Sequence, residues 1–324
     1  MEEMMNLSPE QENELFRFLG EDEKASSEKI IAPRYSYWKS VFRVFFRKKS
    51  NIILLTLFIL LLVSAFIIPL IFPYDVMENV TDSSSYNLSP TAAMTKYGGS
   101  IKYLLGTGSS GNSIFLGIFA SAQTSLKLAF ICAAINMFIG VVLGAVWGYS
   151  KKVDSVMLVF YNIFGNIPGL LVQSVLVYVI GSGFWSLVIA FTLFGWLGVA
   201  FFFRTQVMII RDREYSLASR CLGTPINRII SRNVLPFLTS VIVTVLASEV
   251  PGYISSEVFL SYAGLGLSAS VPSLGRMIQN GQTAFITYPW TFWPPVIMAS
   301  LVAMILYLLG QHLADASDPR THML

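Results

Sequence analysis

The chain has 324 residues, of which 54% are hydrophobic and only 13% are charged. Soluble domains carry about 25% charged residues, so this composition excludes an ordinary soluble protein and indicates a membrane protein. Two cysteines and two histidines leave little material for a disulfide framework or a histidine-based metal site.

The first 33 residues form an acidic segment. They carry nine acidic and three basic residues, whereas the remainder carries ten acidic and nineteen basic residues. A basic start followed by an apolar stretch is missing here, so no secretory signal peptide is expected. We predict a cytoplasmic acidic tail over residues 1–33, either mobile or containing a short amphipathic helix.

Residues 34–50 combine aromatic and basic side chains at helical spacing, from Tyr35 to Lys49. Such a pattern is typical of a helix that lies at the inner leaflet, with its rings at headgroup depth and its cations near anionic lipid. An ordinary positively charged flank of a membrane span is the compatible alternative.

Six stretches approach the roughly 20 apolar residues that a spanning helix needs. Backbone groups inside a bilayer must be satisfied within the segment, which predicts helices and hence an all-α membrane protein. The predicted spans are Asn51–Phe72, Leu128–Trp147, Met157–Ile180, Phe184–Phe203, Pro236–Leu260 and Phe292–Gly310.

The distribution of lysine and arginine predicts the orientation. With the N-terminus inside, inside segments hold fifteen of the nineteen basic residues beyond residue 33, as the positive-inside rule requires. Both termini are therefore predicted to be cytoplasmic. The implied domains are a first span at 51–72, an extracellular loop at 73–120, a core of five spans at 121–310 and a cytoplasmic tail at 311–324. Residues 263–290 are expected outside, as a re-entrant or capping element.

The arginine-rich segment, residues 204–236, interrupts the apolar pattern. Its residues Tyr215, Ala218, Ser219 and Leu222 recur at the spacing of one helix face, within a predicted helical region at 211–226. Gly223 can end that helix, and a proline two residues later can begin the next. The segment is either a docking element for a partner or a solvated cytoplasmic loop.

Polar side chains inside the predicted spans are candidates for a solute path. Glu249 and Glu257 lie in the fifth span, where a carboxylate costs at least about 2–3 kcal/mol unless it faces a cavity or a partner. Each could line the path or form a structural hydrogen bond. Asn136 is a further path candidate, although interhelical hydrogen bonding is the expected role of Asn136, Asn162 and Asn166.

Gly140 and Gly144 have the spacing of a helix-packing motif, for which we expect contact within the chain. The sequence contains no phosphate-binding Gly-x-x-x-x-Gly-Lys-Ser/Thr motif, no His-Glu-x-x-His and no Gly-x-Ser-x-Gly. Nucleotide binding by a P-loop and membrane-embedded hydrolysis are therefore disfavoured.

The arginine-rich segment resembles the signature loop of bacterial ABC importer permeases of the oligopeptide/dipeptide branch. That pattern is Glu-Tyr-x-x-Ala-Ala-Arg-x-x-Gly, followed by Leu-Pro. This chain matches it at Glu214, Tyr215, Ala218, Arg220, Gly223, Leu235 and Pro236, and departs at Ser219, which replaces the second alanine.

Further ordered motifs extend the resemblance over nearly the whole chain beyond residue 33. Leu-Gly-Thr at 105–107 is similar to an outside motif of the family, although Gly108, Asn112 and Ser113 lack its charges. The segment from Glu257 to Gly266, the Pro-Ser-Leu-Gly at 272–275 and the ending at 313–320 also resemble family motifs. The closest resemblance is to the C-type permease subunit of an oligopeptide importer.

The resemblance implies a type I ABC importer permease fold and a division of labour. A homologous second permease would complete the path, two cytoplasmic ATPases would bind ATP and Mg²⁺, and an extracellular binding protein would deliver peptide. This chain would hold no cofactor and catalyse no reaction itself, in the plasma membrane of a bacterium. Its coupling helix would contact an ATPase through Glu214, Tyr215, Ala218, Ser219, Arg220 and Gly223.

Alternatives to oligopeptide uptake remain at this point. Permeases for dipeptides or nickel share these motifs. A different class, an ion-coupled secondary transporter, would use Glu249 or Glu257 as its ion site, although no convincing internal repeat is visible. A scaffold or receptor subunit that transports nothing is a third reading, and it gives no reason for a docking segment.

Overall fold

A computed structural model describes residues 37–77 and 80–317. By their contacts, residues 1–40 and 41–324 form two units, and the first unit is described only over residues 37–40. The predicted acidic tail at 1–33 and the end of the chain from Asp318 lie outside the described part. Every regular element of the described part is a helix, as predicted.

The helices are numbered in chain order, and a π-helical turn at Ile230–Val234 joins α10 to α11. They are α1 (Tyr37–Arg47), α2 (Lys49–Ile71), α3 (Pro90–Lys96), α4 (Ile114–Tyr149), α5 (Lys151–Phe164), α6 (Gly169–Ile180), α7 (Phe184–Thr192), α8 (Trp196–Arg211), α9 (Glu214–Cys221), α10 (Ile226–Ile229), α11 (Leu235–Tyr262), α12 (Leu274–Gln282) and α13 (Pro289–Ser317).

Within the described residues, five helical stretches are long and apolar enough to cross a membrane, and they overlap five of the six predicted spans. Helices α5 and α6 are together apolar enough for a sixth span, but the chain bends by 77° between them. They count as a span only if this bent pair is taken as one. The predicted third span, Met157–Ile180, is therefore not one continuous helix. Pro168 lacks a backbone N–H and disfavours helical geometry in the residue before it, so the helix ends near Gly165 and restarts at Gly169.

Helix α4 lies at the centre of the fold and packs against α2, α8 and α11. Gly140 and Gly144 allow its close approach to α8. A Cβ added there would lie 2.5 Å from a Val199 methyl and 2.6 Å from the Ala200 carbonyl oxygen, respectively. The predicted packing motif thus serves a contact within the chain.

Helix α4 begins earlier than the sequence suggested. Ser113 caps it by accepting a hydrogen bond from the Leu116 amide at 3.2 Å, so the helix includes the last residues of the segment predicted as the loop 73–120. Polar residues such as Ser121 and Ser125 lower the hydropathy of this part of the helix, so the span was predicted to begin later. Both are buried against neighbouring elements instead of facing lipid.

The loop before α4 is held together around the Leu-Gly-Thr motif. The buried Thr107 hydroxyl donates to the Ser85 carbonyl at 2.6 Å and accepts from the Leu88 amide at 2.8 Å. Gly106 has φ of +83°, and an added Cβ would lie 2.5 Å from the Leu88 carbonyl oxygen. The motif thus fixes the loop at the start of α4 without any charged side chain.

Candidate functional site

The arginine-rich segment folds as the end of α8, the short helix α9 and a turn into α10 and α11. Gly223 closes α9 with φ of +73°. Its amide bonds the Arg220 carbonyl at 2.9 Å, and the next amide, of Thr224, bonds the Ser219 carbonyl at 3.1 Å. These two bonds define a Schellman motif, which confirms the predicted helix end at Gly223.

One face of α9 is fixed to the rest of the segment. Ser216 is fully buried, and its hydroxyl donates to the Ile210 carbonyl at 3.0 Å. The Ser219 hydroxyl accepts from the Asn233 side-chain amide at 3.0 Å, which ties α9 to the π-helical turn. Ser219, predicted to face a partner, is therefore partly turned toward the chain itself.

The opposite face of α9 is exposed. Tyr215 and Leu222 are 41% and 85% exposed, although both are apolar enough to be buried. Glu214, Ala218 and Arg220 are exposed beside them. An exposed apolar surface with a charged border is typical of a protein contact.

Three arginines of the segment meet three consecutive residues at the end of α4. Arg204 lies over the Trp147 ring, with 5.7 Å between the guanidinium carbon and the ring centroid. Arg211 donates to the carbonyl of the next residue, Gly148, at 2.9 Å. Arg220 lies over the Tyr149 ring at 5.8 Å.

Asp154 completes this cluster from α5. Its two carboxylate oxygens accept from Arg204 at 2.5 and 3.0 Å, and the first also accepts from the Trp147 indole at 2.8 Å. The segment is thus joined to α4 and α5, not only to the fifth span. Between α8 and α9, hydrogen bonds from Arg211 lower the pKa of Asp212.

Asn136 and Glu249, two of the predicted path residues, lie on either side of Tyr253. The Asn136 amide donates to the Tyr253 hydroxyl at 2.6 Å and to the Phe191 carbonyl at 3.1 Å. Glu249 lies close to the same hydroxyl, one helical turn before Tyr253 in α11. Asn136 is 1% exposed and joins helices, as expected, whereas Glu249 is partly exposed.

Glu257, the third predicted path residue, is completely buried. One carboxylate oxygen accepts from the Ser125 hydroxyl at 2.7 Å and the other from the Ser261 hydroxyl at 2.8 Å. Ser273 lies close to the same carboxylate. Glu257 thus forms structural hydrogen bonds, which was the alternative to a role in lining the path. Its side chain is not exposed to a cavity or to solvent in this structure.

These serines connect Glu257 to the segment that follows α11. Ser125 also accepts from the Leu274 amide at 3.5 Å, and Ser261 from the Leu267 amide at 3.4 Å. Ser273 caps α12 by accepting from the Arg276 amide at 3.1 Å. The carboxylate orients the hydroxyl hydrogens toward itself, which leaves their lone pairs for these amides.

Asn162 and Asn166 do not form the expected interhelical bonds within residues 37–77 and 80–317. Both are exposed near the bend between α5 and α6, where the Asn166 amide donates to the Asn162 carbonyl at 2.6 Å. Cys132 is buried and Cys221 is exposed, and neither forms a disulfide in the part of the chain that the structure describes. The described residues contain no cluster of three or more His, Cys, Asp or Glu that could hold a metal.

Sequence reasoning missed Asp154, Tyr253 and Ser125. Asp154 comes shortly after two lysines in a segment predicted to be cytoplasmic. A single acidic residue among basic ones could have indicated an ion pair. Tyr253 lies four residues after Glu249, one helical turn away. Ser125 gave no signal, because its partner Glu257 is distant in sequence.

Two family models match the chain. Residues 140–323 match the model described as binding-protein-dependent transport system inner membrane component. Residues 36–90 match the N-terminal TM domain of oligopeptide transport permease C. Together they cover the first span, much of the core and the arginine-rich segment.

Individual relatives cover nearly the full chain. The oligopeptide transport system permease protein AmiD of Streptococcus pneumoniae is 44% identical over 96% of this chain and 98% of its own length. The dipeptide transport system permease protein DppC of Bacillus subtilis is 32% identical over 96% of each chain. The oligopeptide transport system permease protein OppC of the same organism is 29% identical over 91% of this chain and 93% of its own.

Proposed function

The chain belongs to the family of binding-protein-dependent transport system inner membrane components, and we propose that it is the oligopeptide permease subunit of an ATP-driven importer. It is a multi-pass membrane protein. The oligopeptide cargo is supported by the higher identity to a relative named for oligopeptide transport than to one named for dipeptide transport.

The exposed face of α9 is the observation that carries the coupling role. Tyr215, Ala218 and Leu222 present an apolar surface bordered by Glu214 and Arg220. An ATPase subunit docked there would move α9 as a rigid unit, because Ser216 and the closure at residue 223 fix its other side.

The arginine cluster supports transmission of that motion into the membrane. Arg204, Arg211 and Arg220 connect the α9 region to the end of α4. Because α4 packs on α8, α11 and α2, a displacement of α9 would reach most of the spans together. A rocking of this subunit against a second permease would then alternate access to the path.

The remaining assignments complete the proposal. A homologous second permease, two ATPases that hold ATP and Mg²⁺, and an extracellular peptide-binding protein would be the partners. Both termini would be cytoplasmic, which places α9 on the ATPase side and α1 at the inner leaflet. Glu249 is the favoured path residue because it alone of the three candidates is partly exposed.

Peptide uptake and ATP hydrolysis measured in the same reconstituted complex test the proposal. Ala218→Glu adds a charge to the docking face, and we expect uptake to fall at least about tenfold while the protein still inserts and assembles with the second permease. Arg232→Glu, an exposed position of the same segment outside α9, is the matched control.

Equal uptake by Ala218→Glu and the native chain would contradict the coupling role. Uptake by this chain alone in liposomes under an ion gradient would contradict the importer assignment and favour a secondary transporter.

A further inference from the structure

A cavity of about 410 Å³ lies where α1 ends, α2 begins and α13 ends. Arg47 and Lys48 line one side, and His312 and Asp315 line the other. Its size falls within the roughly 300–1,000 Å³ typical of small-molecule sites. On the proposed orientation this end of α2 and α13 is at the inner leaflet.

The two long basic side chains of this cavity are not neutralised by an ion pair with a described residue. Within residues 37–77 and 80–317, neither Arg47 nor Lys48 forms an ion pair with an acidic side chain. Both are exposed, so their charges are available to an anion. Helix α2 also begins here without a side-chain cap, which adds its positively polarised end to the cavity.

His312 supplies an independent observation that points to a polar ligand. Its Nδ1 atom is buried and has no hydrogen-bond partner among the described residues. A buried polar atom without a partner costs about 1–3 kcal/mol. An oxygen-rich group in the cavity would satisfy it in the tautomer that carries hydrogen on Nδ1.

The cavity wall is preorganised. Asn51 is 1% exposed, and its amide donates to the Phe45 carbonyl at 2.9 Å, which fixes the turn from α1 to α2. Phe42 and Phe46 are more than a third exposed on α1, as expected for rings that contact lipid. The site therefore combines cations with neighbouring apolar surface.

We propose that this cavity binds the headgroup of an anionic phospholipid of the inner leaflet. Arg47 and Lys48 would contact the phosphodiester, and His312 would donate to one of its oxygens. Basic pockets between spans on the cytoplasmic side are suited to such lipids.

The occupant is a lipid because the cavity is lined by the first residues of an apolar span, and the helix before that span carries the exposed rings of Phe42 and Phe46. A free phosphate would gain nothing from that apolar surface. The proposal depends on the proposed orientation but not on the cargo or the coupling role, and a lipid-binding measurement is independent of transport.

Affinity for short-chain phosphatidylglycerol, short-chain phosphatidylcholine and inorganic phosphate, measured on the permease purified with its companion subunits, tests the site. Each basic residue near an anionic lipid contributes about fivefold in affinity. Arg47→Gln with Lys48→Gln should therefore weaken phosphatidylglycerol binding about 25-fold, with little effect on phosphatidylcholine.

Arg43→Gln with Lys49→Gln is the matched control. These two residues flank the site and carry the same charge, but they do not line the cavity. We expect less than about a threefold change. Equal losses in both pairs would show general surface attraction and overturn the site.

Two further results would overturn the proposal: equal affinity for the two lipids, or displacement of phosphatidylglycerol by an equimolar concentration of inorganic phosphate. His312→Phe keeps both cations and an aromatic ring but removes the Nδ1 donor. It therefore tests the site if the double variant does not assemble. A loss of the phosphatidylglycerol preference in this variant supports the site, and an unchanged preference overturns it.

Discussion

The ion pair between Asp154 and Arg204 should contribute much more to stability than an ion pair of the outer loop. The Arg204 and Asp154 side chains are 12% and 24% exposed, compared with 31% and 56% for Lys96 and Asp82. Replacing Asp154 with Asn removes the charge. An amide oxygen remains to accept from Trp147.

The size of the effect follows from this exposure. Breaking a fully buried ion pair costs about 3–5 kcal/mol, and an exposed pair is worth about 0–1 kcal/mol. Arg204 would keep its stacking on Trp147 but lose a bidentate anion in a largely desolvated position. We expect Asp154→Asn to lower the free energy of unfolding by about 2 kcal/mol.

A double-mutant cycle separates this interaction from the effects of each side chain. Asp154→Asn, Arg204→Gln and the combined variant are unfolded by detergent titration, and we expect a coupling energy of about 1–3 kcal/mol. The same cycle on Asp82 and Lys96 should give a clearly smaller coupling energy, because this pair is more exposed to solvent. Additive effects at Asp154 and Arg204 would refute the reasoning, because the two side chains would then act independently.

Three further predictions concern buried contacts and strain. Glu257→Ala should lower the free energy of unfolding by about 3 kcal/mol or more, since the buried Ser125 and Ser261 hydroxyls lose their acceptor at about 1–3 kcal/mol each, and faster proteolysis at residues 263–273 would report it. Gly144→Val should cost about 1–3 kcal/mol by overpacking against α8, whereas Gly198→Val, which has open space around it, should cost less than about 1 kcal/mol in the same titration. Gly223→Ala should cost about 1–2 kcal/mol because of its positive φ, and a cost equal to that of Gly198→Ala would contradict this reason.

Local chemistry in the sequence was enough to predict part of the site. Gly223 ends α9 because a left-handed residue is needed there, and glycine is the residue that adopts it at little cost. Five of the six predicted spans follow from apolar length alone. Gly140 and Gly144 predicted a close helix contact because their missing side chains leave room for one.

The remaining features depend on contacts between distant parts of the chain. Asp154 and Arg204 are fifty residues apart, and Ser125 and Glu257 are farther apart still, so no local pattern joins them. Hydropathy predicts one continuous third span because it counts apolar residues and ignores that Pro168 has no backbone N–H. The bend between α5 and α6 was therefore not predicted. Polar residues at the start of α4 are satisfied by tertiary hydrogen bonds, which hydropathy cannot anticipate.

Photo-crosslinking from the exposed face of α9 tests the central claim most directly. A crosslinking residue at position 218 in intact cells should form an adduct with a protein that hydrolyses ATP. Position 286, where Ile286 is 83% exposed on the predicted outer side, should not form this adduct. No ATP-hydrolysing partner at position 218, or the same adduct from both positions, would contradict the account.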